Sequence, residues 1–458
     1  PVPFPPKEYD LQTEAEAHLP RTHDGDDPQH GRLVHHPHAH ETRRSRHDVD
    51  LRLGDHHSWV HGRCLRARTL RDALAQPGLG GYAEYAFGKS GSYLANFTYG
   101  LSLVIANLSI AVSVVGYGVM IFEATLTPLE IGLCTIVLIW VTTVINFPGV
   151  RMTGVVSHVF AWALLIPILF LCVAGWFWFS PERFVAAWNP HNMTLFDGIS
   201  ASLSMTLWGF LGLESACANA DAVEDPEKNV PRAVLCATAG VAVIYLLSNN
   251  VAAGIVDNAT LAASTAPFGL VFATMFTPFV GKVVMGVMAL AEAAALMSWQ
   301  FTLAEVFRGS AAEGYFPKIF ARLNKHRVPV AGMLIIVVTQ TLLALLTVNP
   351  RLEEQFFILV DLAVVTNLVP YLLALAALNV MVQREALPVR DAKLTVRLAA
   401  VGSIYSLYAL YACGPTAMLW GSLATFLGMW LYGYAGRDLE RRVAAGRPFA
   451  DMNDERRA

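Results

Sequence analysis

The chain has 458 residues, 54% hydrophobic and 15% charged, with a formal net charge of −3 and a mean hydropathy of +0.44. Those values exclude an ordinary soluble domain, a disulfide-built secreted scaffold and a basic nucleic-acid binder. The average conceals a division near residue 78. Residues 1–80 hold 11 of the 33 Lys and Arg, 12 of the 36 Asp and Glu and 11 of the 14 His, so the other 378 residues share only 46 charged side chains.

In chain order, three parts follow: a polar segment over 1–79, an apolar domain over 80–435, and a charged tail over 436–458. The polar segment carries the tract His35-His36-Pro37-His38-Ala39-His40. By composition alone it reads as a disordered linker or as a metal-binding tail.

The apolar domain offers ten candidate spans, near 92–121, 129–147, 154–179, 196–220, 232–256, 280–306, 329–348, 356–382, 396–412 and 416–434. Each approaches the ~20 apolar residues that a helix needs to cross a bilayer. Turn signals separate them, among them Thr127-Pro128, Ser180-Pro181, Asp225-Pro226 and Gly414-Pro415. Helix is the expected element, because lipid offers no partner to a bare backbone N–H or C=O. Alternate loops are basic: Arg151, then Lys228 and Arg232, then the run from Arg308 to Arg327, then the run from Arg384 to Arg397. Cytoplasmic loops carry such an excess, so residue 80 and the C-terminus are both expected inside. The cluster Trp176-Phe177-Trp178-Phe179 fits an aromatic belt at the lipid interface.

Five of the six Cys lie in or beside apolar runs without metal-ligand spacing, which predicts buried thiols and no metal site. There is neither a phosphate-binding GxxxxGK[ST] nor a strand–GxGxxG–helix context, so ATP coupling on this chain and a nucleotide cofactor are not expected. No nucleophile–base pair marks the spans as an enzyme.

Charges inside spans are functional candidates. Glu214 follows Trp208-Gly209-Phe210-Leu211-Gly212-Leu213. Two glycines three apart weaken a helix. A broken span then presents backbone groups to a cavity, with a carboxylate beside the break to meet a cation. Trp208 offers a π-face to an ammonium. The same pattern is compatible with a packing glycine pair and a helix-end Glu. Glu292 and Trp299 are seven apart and share one helix face, although Trp299 reads equally well as core or lipid packing. Lys282 and Asp361 lie near span ends, where snorkelling or capping is the ordinary role. Tyr99, Tyr371 and Tyr432 each lie in a span.

The motifs Gly80-Gly81-Tyr82-Ala83-Glu84-Tyr85-Ala86-Phe87-Gly88, Trp208–Asp221, Pro226-Glu227-Lys228-Asn229-Val230-Pro231, Ser264-Thr265-Ala266-Pro267-Phe268-Gly269, Glu313-Gly314-Tyr315-Phe316-Pro317 and Val369-Pro370-Tyr371 resemble the basic amino acid/polyamine antiporters. The likeness covers about 80–435. It leans to the putrescine–ornithine-exchanging members over the cadaverine–lysine and arginine–agmatine ones. The resemblance implies an all-α multi-pass inner-membrane protein of a bacterium, with two inverted five-helix repeats, two added C-terminal helices and, in some members, a homodimer. It implies alternating access for small cationic substrates such as putrescine and ornithine. By resemblance, Glu214 holds the substrate ammonium between Trp208 and Trp299 beside Gly209 and Gly212. Tyr99, Glu214 and Tyr371 form a gating layer, and Glu84, Cys217 and Tyr432 match positions linked to polyamine transport. Two positions depart from it: Glu292 stands where a small residue or Cys is expected, and Met429 where the nearest pattern has Trp.

Ten spans in a twelve-helix family leave the first two helices unaccounted for. Read one nucleotide out of register with permitted codons, residues 23–43 yield M-T-V-M-T-L-N-M-G-G-S-S-I-I-L-M-P-T-K-L, which resembles the family's broken first helix. Continuing from His47 yields strings that resemble the second. The expectation is therefore an out-of-frame segment in place of helices 1 and 2, with frame restored around residues 71–78. A chain lacking those helices is expected to transport poorly, which leaves a nonfunctional or scaffold-like membrane protein as the alternative of another class.

Overall fold

The computed structural model describes residues 79–189, 192–213, 225–312, 314–346, 348, 352–384 and 389–444. The expectations for residues 1–78 lie outside them. Among the described residues all regular structure is helical. The α-helices are α1 Leu79–Phe122, α2 Pro128–Ile145, α3 Val150–Ala174, α4 Pro181–Trp188, α5 Leu195–Trp208, α6 Pro226–Ile255 and α7 Asn258–Ala262. They continue as α8 Pro267–Met275, α9 Pro278–Ala312, α10 Val330–Leu346, α11 Leu352–Arg384, α12 Val389–Ala412 and α13 Gly414–Ala444.

Punctuation in the sequence becomes helix caps. Thr127 accepts from the Glu130 N–H while Glu130 accepts from the Thr127 N–H at 2.7 Å, closing a capping box with Pro128 in the first turn of α2. Thr194 caps α5 through the Asp197 N–H, and Asp257 caps α7 through the Thr260 N–H. The hydrogen bonds from Thr260 hold the Asp257 carboxyl below its ordinary value.

Helix α1 packs most extensively against α11 and α9. The interior it shares with α2, α9, α10 and α11 holds Ile105, Leu108, Ile139, Leu296, Leu359 and Ala363, all essentially inaccessible. The outer surface is the reverse of a soluble protein's. Phe177 is 86% exposed, Leu195 82% and Leu346 83%. Apolar cover on that scale suits lipid contact and not water.

Seven of the described helices are long and apolar enough to cross a membrane, against ten candidate spans from the sequence. Three candidates differ for physical reasons. α10 is apolar but only 17 residues long. α13 is diluted by Trp420, Gly421, Gly428 and Trp430. The span predicted over 196–220 stops early: α5 ends at Trp208, and residues 209–213 form turns. Two further boundaries move. α1 begins at Leu79 instead of residue 92, because helix continues through the Gly-Gly-Tyr motif across a kink at Gly88, whose φ of 69° suits glycine. The span predicted over 154–179 ends as α3 plus a 3₁₀ turn, Gly175–Trp178, which presents the aromatic cluster to the outside.

The cysteine reading also needs correction. Cys172 and Cys413 are buried, but Cys134 and Cys236 are exposed. An apolar run marks a residue as sheltered from water, and on a lipid-facing helix that is not burial within the protein. Lys282 pairs with Glu123 at 2.7 Å, joining the end of α1 to the start of α9. The ammonium holds the Glu123 carboxyl below its usual value. Asp361 on α11 bonds the Ser204 side chain on α5. Both groups therefore have structural partners.

Candidate functional site

The site is built where α5 stops. Trp208 is its last residue, and the Gly209 N–H closes the helix onto the Met205 carbonyl at 3.2 Å. Phe210 and Leu211 then bond back to Leu207 and Trp208 in tighter turns. Gly212 takes φ +104°, outside the ordinary range of a residue with a side chain. A Cβ there would also lie 2.9 Å from Cζ2 of Trp299. The glycine therefore serves twice: it turns the chain and lets the Trp299 indole lie against the turn. Gly209 is tight for another reason. The Tyr245 hydroxyl donates to its carbonyl at 2.9 Å, and the Tyr245 ring fills the space that a Cβ would need.

A cavity of about 410 Å³ opens beside this turn. Its walls include Trp208, Gly209, Gly212, Glu292 and Trp299 from the sequence reading. Trp208 and Trp299 are half-buried, as an aromatic wall facing a cavity should be. Glu292, on α9, bonds the Ser113 side chain on α1, and its Oε2 is buried without a partner.

Other predicted residues lie elsewhere. Tyr99 packs against the cluster of Leu103, Leu303 and Met333, behind the wall residue Leu103. Tyr371 follows Pro370 inside α11, and Tyr432 stacks obliquely on Tyr93 at 5.1 Å within an aromatic group that includes Phe97 and Phe316. None of the three lines the cavity. Glu84, on the first stretch of α1, keeps a buried Oε2 without a partner and is also absent from the wall. Glu214 and Cys217 lie outside the described residues. Among the described residues no group of three or more His, Cys, Asp or Glu is placed to hold a metal ion.

Sequence reasoning missed Ser102, Asn107, Tyr245 and Asn367, all on the cavity wall. The signal was present: an amide side chain inside an apolar run needs a partner as much as a charge does. Asn107 donates to Gln300 at 3.2 Å, Gln300 to Gln340 at 2.8 Å, and Gln340 to the Val104 carbonyl at 3.3 Å. Gln340 also donates back to the Gln300 Oε1 at 3.3 Å, and because the Val104 carbonyl only accepts, the orientation of all three amides follows from it. It turns the Asn107 Oδ1 away from its own partners, and that oxygen is buried and unpaired. Asn367 donates to Ser102 at 3.0 Å and likewise keeps a bare Oδ1.

A family model described as amino acid permease matches residues 76–435. The chain belongs to that family. It is 56% identical over 369 residues to the putrescine transporter PotE of Escherichia coli (strain K12), covering 81% of this chain and 84% of the relative. It is also 56% identical to the PotE of Haemophilus influenzae over 357 residues, 78% of this chain and 82% of that one. The cadaverine/lysine antiporter of Escherichia coli (strain K12) is more distant, 28% identical over 272 residues, 58% of this chain and 61% of that protein. The matched stretch contains the α5 turn, both tryptophans and Glu292. It is a helical multi-pass membrane permease of a transporter family, and the relatives are named as transporters and not as enzymes.

Proposed function

We propose that the chain is a secondary transporter that exchanges putrescine for ornithine by alternating access. The observation that carries this reading is the pair of indoles, Trp208 and Trp299, set on a cavity beside the glycine turn that ends α5. Putrescine is an alkyl chain with an ammonium at each end. It suits aromatic faces, a narrow apolar slot and acceptor oxygens. Glu214, two residues past Gly212, supplies the carboxylate for one ammonium. Tyr99 and Tyr371 act as gates outside the cavity, and Glu84, Cys217 and Tyr432 serve the path to it. The fold in this reading is two inverted five-helix repeats with two added helices, in a bacterial inner membrane with the C-terminus cytoplasmic. Cadaverine–lysine exchange is the weaker reading, since that relative matches at 28% against 56%.

Residues 1–79 in this reading are an out-of-frame stretch standing where helices 1 and 2 belong. Each Arg or Asp at mid-membrane costs ~2.5–3.5 kcal/mol, so the segment cannot insert in their place. The test is counterflow of labelled putrescine against ornithine in proteoliposomes. One sample carries the chain as it stands, and another carries the neighbouring-frame translation over residues 23–70. Exchange is expected from the second and little from the first, with none from the second bearing Glu214→Gln. Robust exchange by the first overturns the account of residues 1–79. Absence of exchange in both overturns the transport reading. Sequencing the coding DNA across residues 1–80 checks the frame independently of transport.

A further inference from the structure

We propose that Glu292 reads the second ammonium of a linear diamine and so sets a preference for diamines over amines with a single positive end; this rests on the transport reading above. Glu292 lines the same cavity as Trp208 and Trp299. One side of its carboxylate is engaged by Ser113, while Oε2 is buried and bonded to nothing. An ionised carboxylate with a bare oxygen in such surroundings is costly unless a cation meets it. Among the described residues, no Lys, Arg or His lines the cavity to do so. The terminal torsion of a Glu side chain is soft, so either oxygen can turn to the cavity.

The rest of the wall points to the same ligand chemistry. The Asn107 and Asn367 Oδ1 atoms are also buried and unpaired, each on a residue of this wall. Their amide nitrogens are committed to Gln300 and Ser102. Three spare acceptors, each on a residue of the wall, match an ammonium, which offers three donors and accepts nothing.

Spacing gives the length preference. Glu292 and Trp299 are seven residues apart on one face of α9, about 10 Å along the axis. An alkyl chain lying on the Trp299 indole, with its near ammonium at the α5 turn, extends its far end toward Glu292.

Binding of putrescine, cadaverine and n-butylamine to the purified full-length chain, by titration calorimetry, tests the assignment without requiring transport. The wild type should bind putrescine at least tenfold more tightly than n-butylamine. In Glu292→Ala and in the near-isosteric Glu292→Gln, that ratio should fall toward one through loss of putrescine affinity, with n-butylamine unchanged. Glu292→Asp should restore the diamine preference and shift it toward cadaverine, because the carboxylate is withdrawn by one methylene. An unchanged ratio in both neutral variants overturns the role of Glu292 and leaves the transport reading standing. So does a parallel loss of n-butylamine binding in both, which would make the residue a support for the cavity's shape. Failure of the wild type to bind any of the three overturns the role of Glu292 and leaves the transport reading to the counterflow test on the neighbouring-frame chain.

Discussion

Two sets of polar side chains lie inside the same helix bundle and end differently. Gln300 and Gln340 are almost wholly inaccessible and spend their amides on each other, on Asn107 and on the Val104 carbonyl. They tie α1, α9 and α10 together and leave little for a ligand. Elsewhere in the bundle, Glu292, Asn107 and Asn367 each keep a bare oxygen, and all three residues line the cavity. A polar group in an apolar helix bundle is costly in either setting. Where its bonds close within the protein it is part of the scaffold; where an acceptor is left open beside a cavity, the missing partner is expected from outside.

The sharpest way to break that contrast is at the α5 turn, which joins scaffold to cavity. Gly212→Val combines a backbone at φ +104° with a Cβ 2.9 Å from the Trp299 ring. The strained backbone alone costs about 1–3 kcal/mol, and the indole must leave its seat. Putrescine binding should be lost altogether in calorimetry, with a lowered unfolding temperature. Next in size is Trp299→Leu. It keeps the apolar wall and removes the π-face, so diamine affinity should fall on the order of tenfold, the scale of a desolvated cation–π contact, while the unfolding temperature changes little.

The scaffold side predicts the opposite division. Gln340→Leu strands the Gln300 amide N–H inside the bundle, and an unsatisfied buried group costs about 1–3 kcal/mol, while the Val104 carbonyl keeps its bond within α1. Thermal unfolding in detergent should shift downward accordingly. Putrescine affinity should stay within about twofold, because no oxygen on the cavity wall loses its orientation: Asn107 still donates to Gln300. A large loss of affinity in Gln340→Leu would erase the distinction between the two sets.

The same contrast explains what was legible in the sequence. Apolar run length located the long helices, because in lipid only a helix satisfies its own backbone. The interruption after Trp208 was legible from Gly209 and Gly212, whose lack of a Cβ has a local meaning. Boundaries were less legible where helix continues through polar motifs, as from Leu79 to Phe87, or where an aromatic cluster turns outward at Gly175–Trp178. Asn107 and Asn367 were not legible as wall residues. Which of two buried amides faces a cavity depends on partners 193 and 265 positions away in the chain. Tyr99, Tyr371 and Tyr432 followed from resemblance alone, and the described cavity does not include them.

A second carboxylate, at the surface, completes the comparison and predicts the smallest effect. Glu123 meets Lys282 at 2.7 Å, but at the surface, with the Glu side chain 75% exposed. Here water and salt screen the pair, and exposed pairs contribute little. Its folded-state carboxyl is held below the ordinary value by the Lys282 hydrogen bond and charge. A lowered folded value means the contribution is present above the unfolded-state value, about 4.3 for Glu, and fades as pH falls through the folded one. Glu123→Gln should therefore lower the unfolding temperature slightly at pH 7 and not at all at strongly acid pH. The pH 7 difference should shrink in high salt, and putrescine binding should be unaffected throughout. If Glu123→Gln weakened putrescine binding as much as Glu292→Gln, a bare oxygen beside the cavity would no longer be what separates a ligand-reading carboxylate from a structural one.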